Sequence, residues 1–222
     1  MPFKDLREFI DRLEKEGDAQ RIEEEVDWNL EAAAIVRRSN EQGLPAPLFQ
    51  KIKDYPEGYR VFGTPLGTQR RLAIAMDMDP NASTKELQEE YLKRKKQPIK
   101  PVLVNDGPCK ENIHIGDEAD LSGFPVPMVH DGDGGRFIGT WHLTINRDPG
   151  SDWVNWGIYR HMLHDKKTMG IVADPYSHLG MVHKQQYEAR NKPMDVAIAI
   201  GPEPVSTFCA TSPLAYGVSE VD

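Results

Sequence analysis

The chain has 222 residues, of which 39% are apolar and 28% charged, and these proportions favour a globular protein over a disordered one. No run approaches about 18 uninterrupted apolar residues, which excludes a transmembrane helix from the prediction. The N-terminus alternates charged and apolar side chains and lacks the apolar block of a signal peptide. Two cysteines are too few for a disulfide framework, so we expect a protein of the reducing cytoplasm.

The charge balance argues against nucleic acid as a partner. Lys and Arg number 27 against 35 Asp and Glu, and the net charge of −8 gives a field that repels a polyanion. The one basic cluster, at residues 93–100, follows an acidic helical stretch. We interpret it as the solvated C-terminal end of a helix rather than as a nucleic-acid site.

The first part of the chain alternates helical and strand-like patterns, which predicts a small α/β domain. Apolar residues recur at helical spacing over residues 3–17 and again over residues 30–39. A third helix is predicted from Ser83 or Thr84, which are typical N-caps, to about residue 96. Three short apolar runs are interpreted as strands: 47–52, 59–62 and 72–76.

The composition changes after residue 98, where Pro, Gly and Asp become frequent, and we place a domain boundary near residue 118. The predicted domains are therefore 1–118 and 119–222. Alternating side chains over 137–146 predict one long strand, and a turn at 148–151 leads into a second strand that begins at Trp153. Together they predict an antiparallel hairpin.

The rest of the second domain is predicted as two buried strands and a helix. Residues 169–173 and 196–200 are short apolar runs that fit buried strands, and residues 177–191 have a helical pattern. The second domain is thus expected to be mostly antiparallel sheet, which makes the whole chain α/β in the broad α+β sense.

Three polar residues of the second domain are candidate metal ligands: Asn155, His178 and Glu220. Ser177 is a predicted N-cap, which places His178 at the positive end of a helix, where a neutral imidazole and a phosphate are both favoured. Mixed oxygen and nitrogen ligands suit Mn²⁺ or Mg²⁺ better than Zn²⁺. The alternative is three unrelated residues, because their spacing matches no local metal motif and a carboxylate so near the end is typically frayed.

Asn155 and Arg160 form a second candidate pair. In a regular strand, side chains separated by an odd number of positions point to opposite faces. Gly157 lies between them and is the natural place for a bend or bulge that brings both to one site. The alternative needs no bend and leaves both residues exposed.

Several blocks of sequence, in order, resemble the UbiD family of reversible decarboxylases, which use prenylated FMN. The blocks are 131–140, 153–160, 164–166, 178–183 and 217–220. The resemblance covers nearly the whole chain. It implies that the N-terminal α/β domain is followed by part of a split β-barrel domain that binds flavin and resembles flavin reductases.

The resemblance also implies roles for individual positions. Asn155, His178 and Glu220 match ligands of a divalent cation, usually Mn²⁺, that bridges to the flavin phosphate, and Arg160 matches a catalytic arginine. A nearby K⁺ site is implied at Glu220 and at backbone oxygens around Trp156 and residues 209–212. The remaining positions that match flavin-binding ones are Thr140, Gly157, Ile158, Ala210 and Ser212.

The implied activity is non-oxidative decarboxylation of an aromatic or α,β-unsaturated carboxylic acid, with release of CO₂. A flavin prenyltransferase would supply the cofactor, and a homo- or hetero-oligomer is expected. The two glutamates of the family's Glu–Arg–Glu network are expected beyond residue 222, so we predict that the chain is inactive alone. Two alternatives stay open: a flavin-binding module without catalysis, and a subunit of a multi-component aromatic carboxylase.

Overall fold

The computed structural model describes residues 2–212 and 214–221. Helices and strands alternate along these residues, which confirms the predicted mixed α/β class. The α-helices are α1 (Leu6–Lys15), α2 (Glu31–Glu41), α3 (Gln69–Ala75), α4 (Thr84–Lys95), α5 (His178–Val182) and α6 (Pro204–Cys209). The strands are β1 (Ala19–Val26), β2 (Ala46–Ile52), β3 (Val61–Phe62), β4 (Phe137–Gly139), β5 (His142–Arg147), β6 (Val154–Gly157), β7 (His161–Leu163), β8 (Met169–Ile171) and β9 (Val196–Ile200).

The N-terminal unit is a three-stranded sheet covered by helices. β2 is the central strand, parallel to β1 and antiparallel to β3. The apolar stripe of α1, with Phe9 and Leu13 fully buried, packs together with Ile74 of α3. This packing confirms the helix predicted over residues 3–17, and α2 and α4 confirm the other two helices.

Two elements of this unit differ from the prediction. The strand predicted at 72–76 is wrong, because these residues belong to α3, whose N-cap Thr68 accepts a hydrogen bond from the Arg71 amide at 3.2 Å. A short apolar run buried on all sides does not distinguish helix from strand. β1 was not predicted, since half of its side chains are charged and exposed and its order comes from pairing with β2.

A capping box begins α4. The Ser83 side chain accepts from the Glu86 amide at 3.3 Å, and the Glu86 carboxylate accepts from the Ser83 amide at 2.7 Å. Ser83→Ala should lower the free energy of unfolding by about 1 kcal/mol, measured by urea denaturation, because the Glu86 amide at the helix end loses its acceptor. Ser83→Asn retains an acceptor and should stay near wild type. Equal stability of the wild type and Ser83→Ala would contradict the capping role.

The segment between the two units carries exposed apolar side chains and short 3₁₀ turns. Val102 and Leu103 are 86% and 96% exposed. Further along, Met128 joins the N-terminal unit, where its amide donates to the Trp28 carbonyl at 2.9 Å and its carbonyl accepts from the Leu30 amide at 3.1 Å. The domain boundary near residue 118 stays a prediction.

The second unit consists of two antiparallel three-stranded sheets, ordered β4-β7-β8 and β6-β5-β9. The predicted hairpin is confirmed by the pairing of β5 with β6. The single strand predicted over 137–146 is wrong, because the chain leaves the extended ladder at Thr140 and Trp141 and its halves join different sheets. Over the described residues the sheets do not close into a barrel, and the likeness to flavin reductases stays a prediction.

Two further predictions for this unit need correction. β9 forms as predicted and β8 forms over the first three of its five predicted residues, but neither strand is buried, since Ile171, Val196 and Ile200 are 39%, 41% and 53% exposed. The helix predicted over 177–191 is α-helical only in α5 and continues as a π turn, His183–Tyr187, and a 3₁₀ turn, Glu188–Arg190. Among the described helices, none has the length and apolar character needed to cross a bilayer.

Candidate metal site

Glu220 belongs to the segment 217–220, which lies along β6 and is fixed there by hydrogen bonds. The Trp153 indole donates to the Val218 carbonyl at 3.1 Å, and the Trp156 amide donates to Oε2 of Glu220 at 3.0 Å. The Glu220 side chain is only 3% exposed. The alternative of a frayed terminal carboxylate is therefore wrong, because contacts with residues some 65 positions earlier fix it.

His178 faces the same carboxylate. Its Nδ1 lies 3.6 Å from Oε1 of Glu220, and its ring makes edge contacts with Trp153 and Tyr216 at centroid distances of 5.3 and 5.9 Å. The predicted cap is confirmed, since the Ser177 hydroxyl accepts from the Gly180 amide at 3.1 Å. A separation of 3.6 Å is long for a hydrogen bond, but it lies within the span of two ligands that each reach one cation at about 2.1 Å.

Asn155 is buried on β6, next to Trp156. Its Nδ2 donates to Oδ1 of Asn146 at 2.8 Å, and the residue is 1% exposed. Within the described residues, no three His, Cys, Asp or Glu side chains gather as a cation site. The structure brings together one imidazole and one carboxylate, those of His178 and Glu220. The side-chain carboxamide of Asn155 lies one residue from Trp156, whose backbone amide binds that carboxylate. Nitrogen and oxygen donors of these kinds fit Mn²⁺ or Mg²⁺.

The end of α6 approaches Glu220 from the other side. Burial raises the pKa of the Cys209 thiol, and the nearby carboxylates of Glu203 and Glu220 raise it further. Ser212 accepts a hydrogen bond from the Tyr91 hydroxyl at 2.8 Å. These side chains border a cavity of about 1000 Å³ whose lining includes Tyr91, Trp153, Phe208, Cys209, Ser212 and Glu220. Cys209, Ser212 and Glu220, but not Ala210, thus share one cavity, and the K⁺ site stays a prediction.

Of the five residues expected along the flavin, all but Ser212 lie outside that cavity. Thr140 is exposed in the break between β4 and β5, Ile158 is partly exposed, and Ala210 is buried directly after α6. Gly157 ends β6, and a Cβ there would lie 2.4 Å from the Tyr159 ring, so a larger residue would have to displace that ring. Nothing in the structure tests their predicted contact with a flavin.

Arg160 is exposed just before β7. Its guanidinium carbon lies 5.7 Å from the centre of the Phe137 ring. β6 does end at Gly157, where the bend was expected, but Asn155 is buried and Arg160 is not. Of the predicted site residues, the structure joins His178 with Glu220. Within the described part of the chain, neither Asn155 nor Arg160 makes a hydrogen bond or ion pair with either of them.

Several polar and aromatic residues of the site were missed by sequence reasoning. Asn146 lies opposite Asn155 in the β5–β6 ladder, a neighbour that the predicted hairpin would have indicated had its register been worked out. Trp153 was predicted only as the start of a strand, yet it contacts both His178 and the segment 217–220. No local signal in the sequence identifies these long-range contacts.

The fold and site define a mixed α/β protein in which the buried carboxylate of Glu220 faces the imidazole of His178. Residues 10–91 match the family model of the 3-octaprenyl-4-hydroxybenzoate carboxy-lyase N-terminal domain. Residues 100–222 match that of the 3-octaprenyl-4-hydroxybenzoate carboxy-lyase Rift-related domain. The chain therefore belongs to the UbiD family.

Known relatives agree with this family. The chain is 36% identical to pyrrole-2-carboxylic acid decarboxylase of Pseudomonas aeruginosa, over 97% of this chain and 45% of that protein. The closed form of vanillic acid decarboxylase from Sedimentibacter hydroxybenzoicus superposes with a TM-score of 0.90 at 34% identity, over 98% of this chain and 47% of that one.

A third similar protein has a flavin in its structure. The UbiD-class enzyme HmfF from Pelotomaculum thermopropionicum, solved in complex with FMN, gives a TM-score of 0.86 at 29% identity, over 97% of this chain and 46% of that one. The chain thus spans about half the length of the relatives it matches.

Proposed function

We propose that this chain forms the cation-binding and part of the flavin-binding portion of a reversible decarboxylase. Its substrate is an aromatic or α,β-unsaturated carboxylic acid, and its cofactors are prenylated FMN, Mn²⁺ or Mg²⁺, and K⁺. The proposal is supported by the family of the chain and by relatives that decarboxylate aromatic acids. The single observation that carries it is the contact of His178 with the buried Glu220 carboxylate, 3.6 Å apart.

The residues of the chain divide the work of binding. His178, Glu220 and Asn155 would hold the divalent cation, which would supply positive charge for the phosphate of the flavin. The Trp156 amide fixes one oxygen of Glu220 and leaves the other directed at His178. Thr140, Gly157, Ile158, Ala210 and Ser212 contribute to the flavin-binding surface. Prenylated FMN, when bound, supplies the electron sink that allows CO₂ to leave an sp² carbon.

Arg160 orients the carboxylate of the substrate. Its guanidinium is exposed and lies against one aromatic ring, so its donors are available for a bidentate pair with an incoming carboxylate. We propose that the carboxylic acids that move the proton belong to polypeptide outside residues 1–222, either in the same protein or in a partner subunit. On this proposal the 222 residues bind cation and flavin but do not turn over substrate, and a flavin prenyltransferase supplies the cofactor.

The test is native mass spectrometry of the chain, purified without oxygen after co-expression with a flavin prenyltransferase and supplied with Mn²⁺. We expect a complex that carries prenylated FMN and Mn²⁺, and no decarboxylation of aromatic acids by that complex. His178→Ala should lose the cation, whereas His114→Ala, a change at an exposed histidine, should retain it. A bare protein under these conditions contradicts the binding role. Decarboxylation by the chain alone contradicts the need for outside acids.

A further inference from the structure

We propose that Asn146 is a positioning residue that fixes the Asn155 amide so that its oxygen faces the divalent cation. The proposal rests on the proposed function, because it takes Asn155 as a ligand of that cation. It adds a residue of β5, a strand in which no cation-binding residue was predicted.

The two asparagines are held together by the sheet. They lie directly opposite each other in the antiparallel β5–β6 ladder, so both side chains stand on one face. Nδ2 of Asn155 donates a hydrogen bond of 2.8 Å to Oδ1 of Asn146. Both residues are buried, with Asn155 1% exposed and Asn146 2% exposed. Neither amide can turn toward water.

An amide ligand works in only one orientation. Cations bind the amide oxygen and are repelled by the NH₂ end, so an Asn that can rotate by half a turn presents the wrong end part of the time. The hydrogen bond from Asn155 uses its NH₂ end and leaves its Oδ1 without a donor among the described residues. Groups that bond the far side of a metal ligand fix its orientation in this way.

The state of Asn146 supports the same reading. Its Nδ2 has no hydrogen-bond partner in the described part of the chain, although it is buried. A buried amide donor without a partner is unfavourable, and groups of this kind tend to be kept where a site needs them. Asn146 accepts the hydrogen bond from Asn155 only when its Oδ1 is turned toward Asn155, and in that orientation its own Nδ2 has no partner among the described residues.

The neighbouring residues of β5 do not offer a substitute. Thr144 stands two positions away on the same face, but its hydroxyl lies 3.0 Å from Nε2 of His142. Leu143, on the other face, is apolar and buried. Asn146 is therefore the acceptor that β5 presents to Asn155.

The experiment measures Mn²⁺ affinity of the 222-residue chain with FMN present, from the electron paramagnetic resonance signal of free Mn²⁺. Asn146→Leu has the same number of side-chain heavy atoms and no acceptor, and it should weaken Mn²⁺ binding by about 10- to 100-fold. Asn146→Asp keeps an acceptor oxygen and should bind Mn²⁺ at least as tightly as the wild type. Leu143→Val alters packing on the same strand and should leave the affinity unchanged. If Asn146→Leu does not fold, Asn146→Ala takes its place with the same expectation.

The outcomes separate this proposal from the one on which it rests. If Asn155→Ala loses Mn²⁺ but Asn146→Leu binds it within twofold of wild type, the positioning role is overturned and the cation site stands. Equal losses in Asn146→Leu and Asn146→Asp also overturn it, because the acceptor oxygen is then irrelevant. If the wild type binds no Mn²⁺, or Asn155→Ala binds it normally, the cation site itself fails.

Discussion

Replacing Glu220 with glutamine should weaken Mn²⁺ binding by about 100-fold or more. The side chain is 3% exposed, and one of its oxygens lies 3.6 Å from His178, so this group is the only carboxylate in the proposed ligand set. Hard cations depend strongly on anionic oxygen ligands. The loss of affinity when a ligand is removed should therefore exceed the roughly 10- to 100-fold loss that follows removal of a residue that only supports a ligand.

Glutamine is chosen because it should leave the local structure intact. An amide oxygen still accepts from the Trp156 amide, the bond that measures 3.0 Å in the wild type. Titration calorimetry with Mn²⁺ gives the affinity, and Glu24→Gln, on the exposed side of β1, controls for the change in net charge. Wild-type affinity in Glu220→Gln would exclude the carboxylate as a ligand.

The structure explains why this carboxylate was hard to evaluate from the sequence. Glu220 near the chain end looks frayed, and its burial depends on β6, which is far away in sequence. The sequence did identify His178 and its cap Ser177, because a serine before a helical pattern is a local signal. What sequence reasoning could not supply is the contact between the two, which requires the fold.

The errors in the fold have the same origin. The residues of α3 form a short apolar run whose strand-like appearance is resolved only by burial against α1. The alternation over 137–146 is real in each half, but the chain changes sheets at Thr140, and no residue type there marks the change. By contrast, the capping box of α4 and the apolar stripe of α1 are local patterns, and both elements were predicted within a few residues.

Acid should destabilise the protein through two buried histidines that lie where the two sheets of the second unit meet. His142 begins β5, His161 begins β7, and their rings are in edge contact at 5.1 Å. A Cβ on Gly139 would lie within 3 Å of both rings, so the packing around the pair is tight. Nδ1 of each ring is buried without a well-formed hydrogen bond among the described residues, and the Tyr159 backbone offsets only part of the pKa lowering that burial causes in both rings.

Burial lowers the pKa of His142 to about 4, and the neighbouring His161 contributes to that shift. Burial also lowers the pKa of His161. The unfolded chain takes up a proton near the ordinary pKa of about 6.5, whereas the folded chain does so only at lower pH, so protons favour unfolding. Stability is therefore full above about pH 6.5 and falls progressively as the pH approaches 4.

Lowering the pH from about 7.5 to about 5 should reduce the free energy of unfolding by about 2 kcal/mol through His142 alone. Urea denaturation at each pH measures this loss. His142→Gln has no proton to take up, so its loss over the same range should be smaller by that amount, even if the variant is less stable at both pH values. His114→Gln, at an exposed position, should behave as the wild type.

The comparison isolates the buried imidazole from the many carboxylates of this acidic chain, because those titrate equally in all three proteins. An unchanged pH dependence in His142→Gln would mean that the imidazole is hydrated or charged in the folded state. In the structure neither is accommodated, since the ring is fully buried against His161 and Gly139. Thr140 directly follows Gly139, and Arg160 directly precedes His161. Protonation of the histidine pair should therefore loosen the segments that carry both residues, and the ligand binding proposed for them should weaken over the same acidic range.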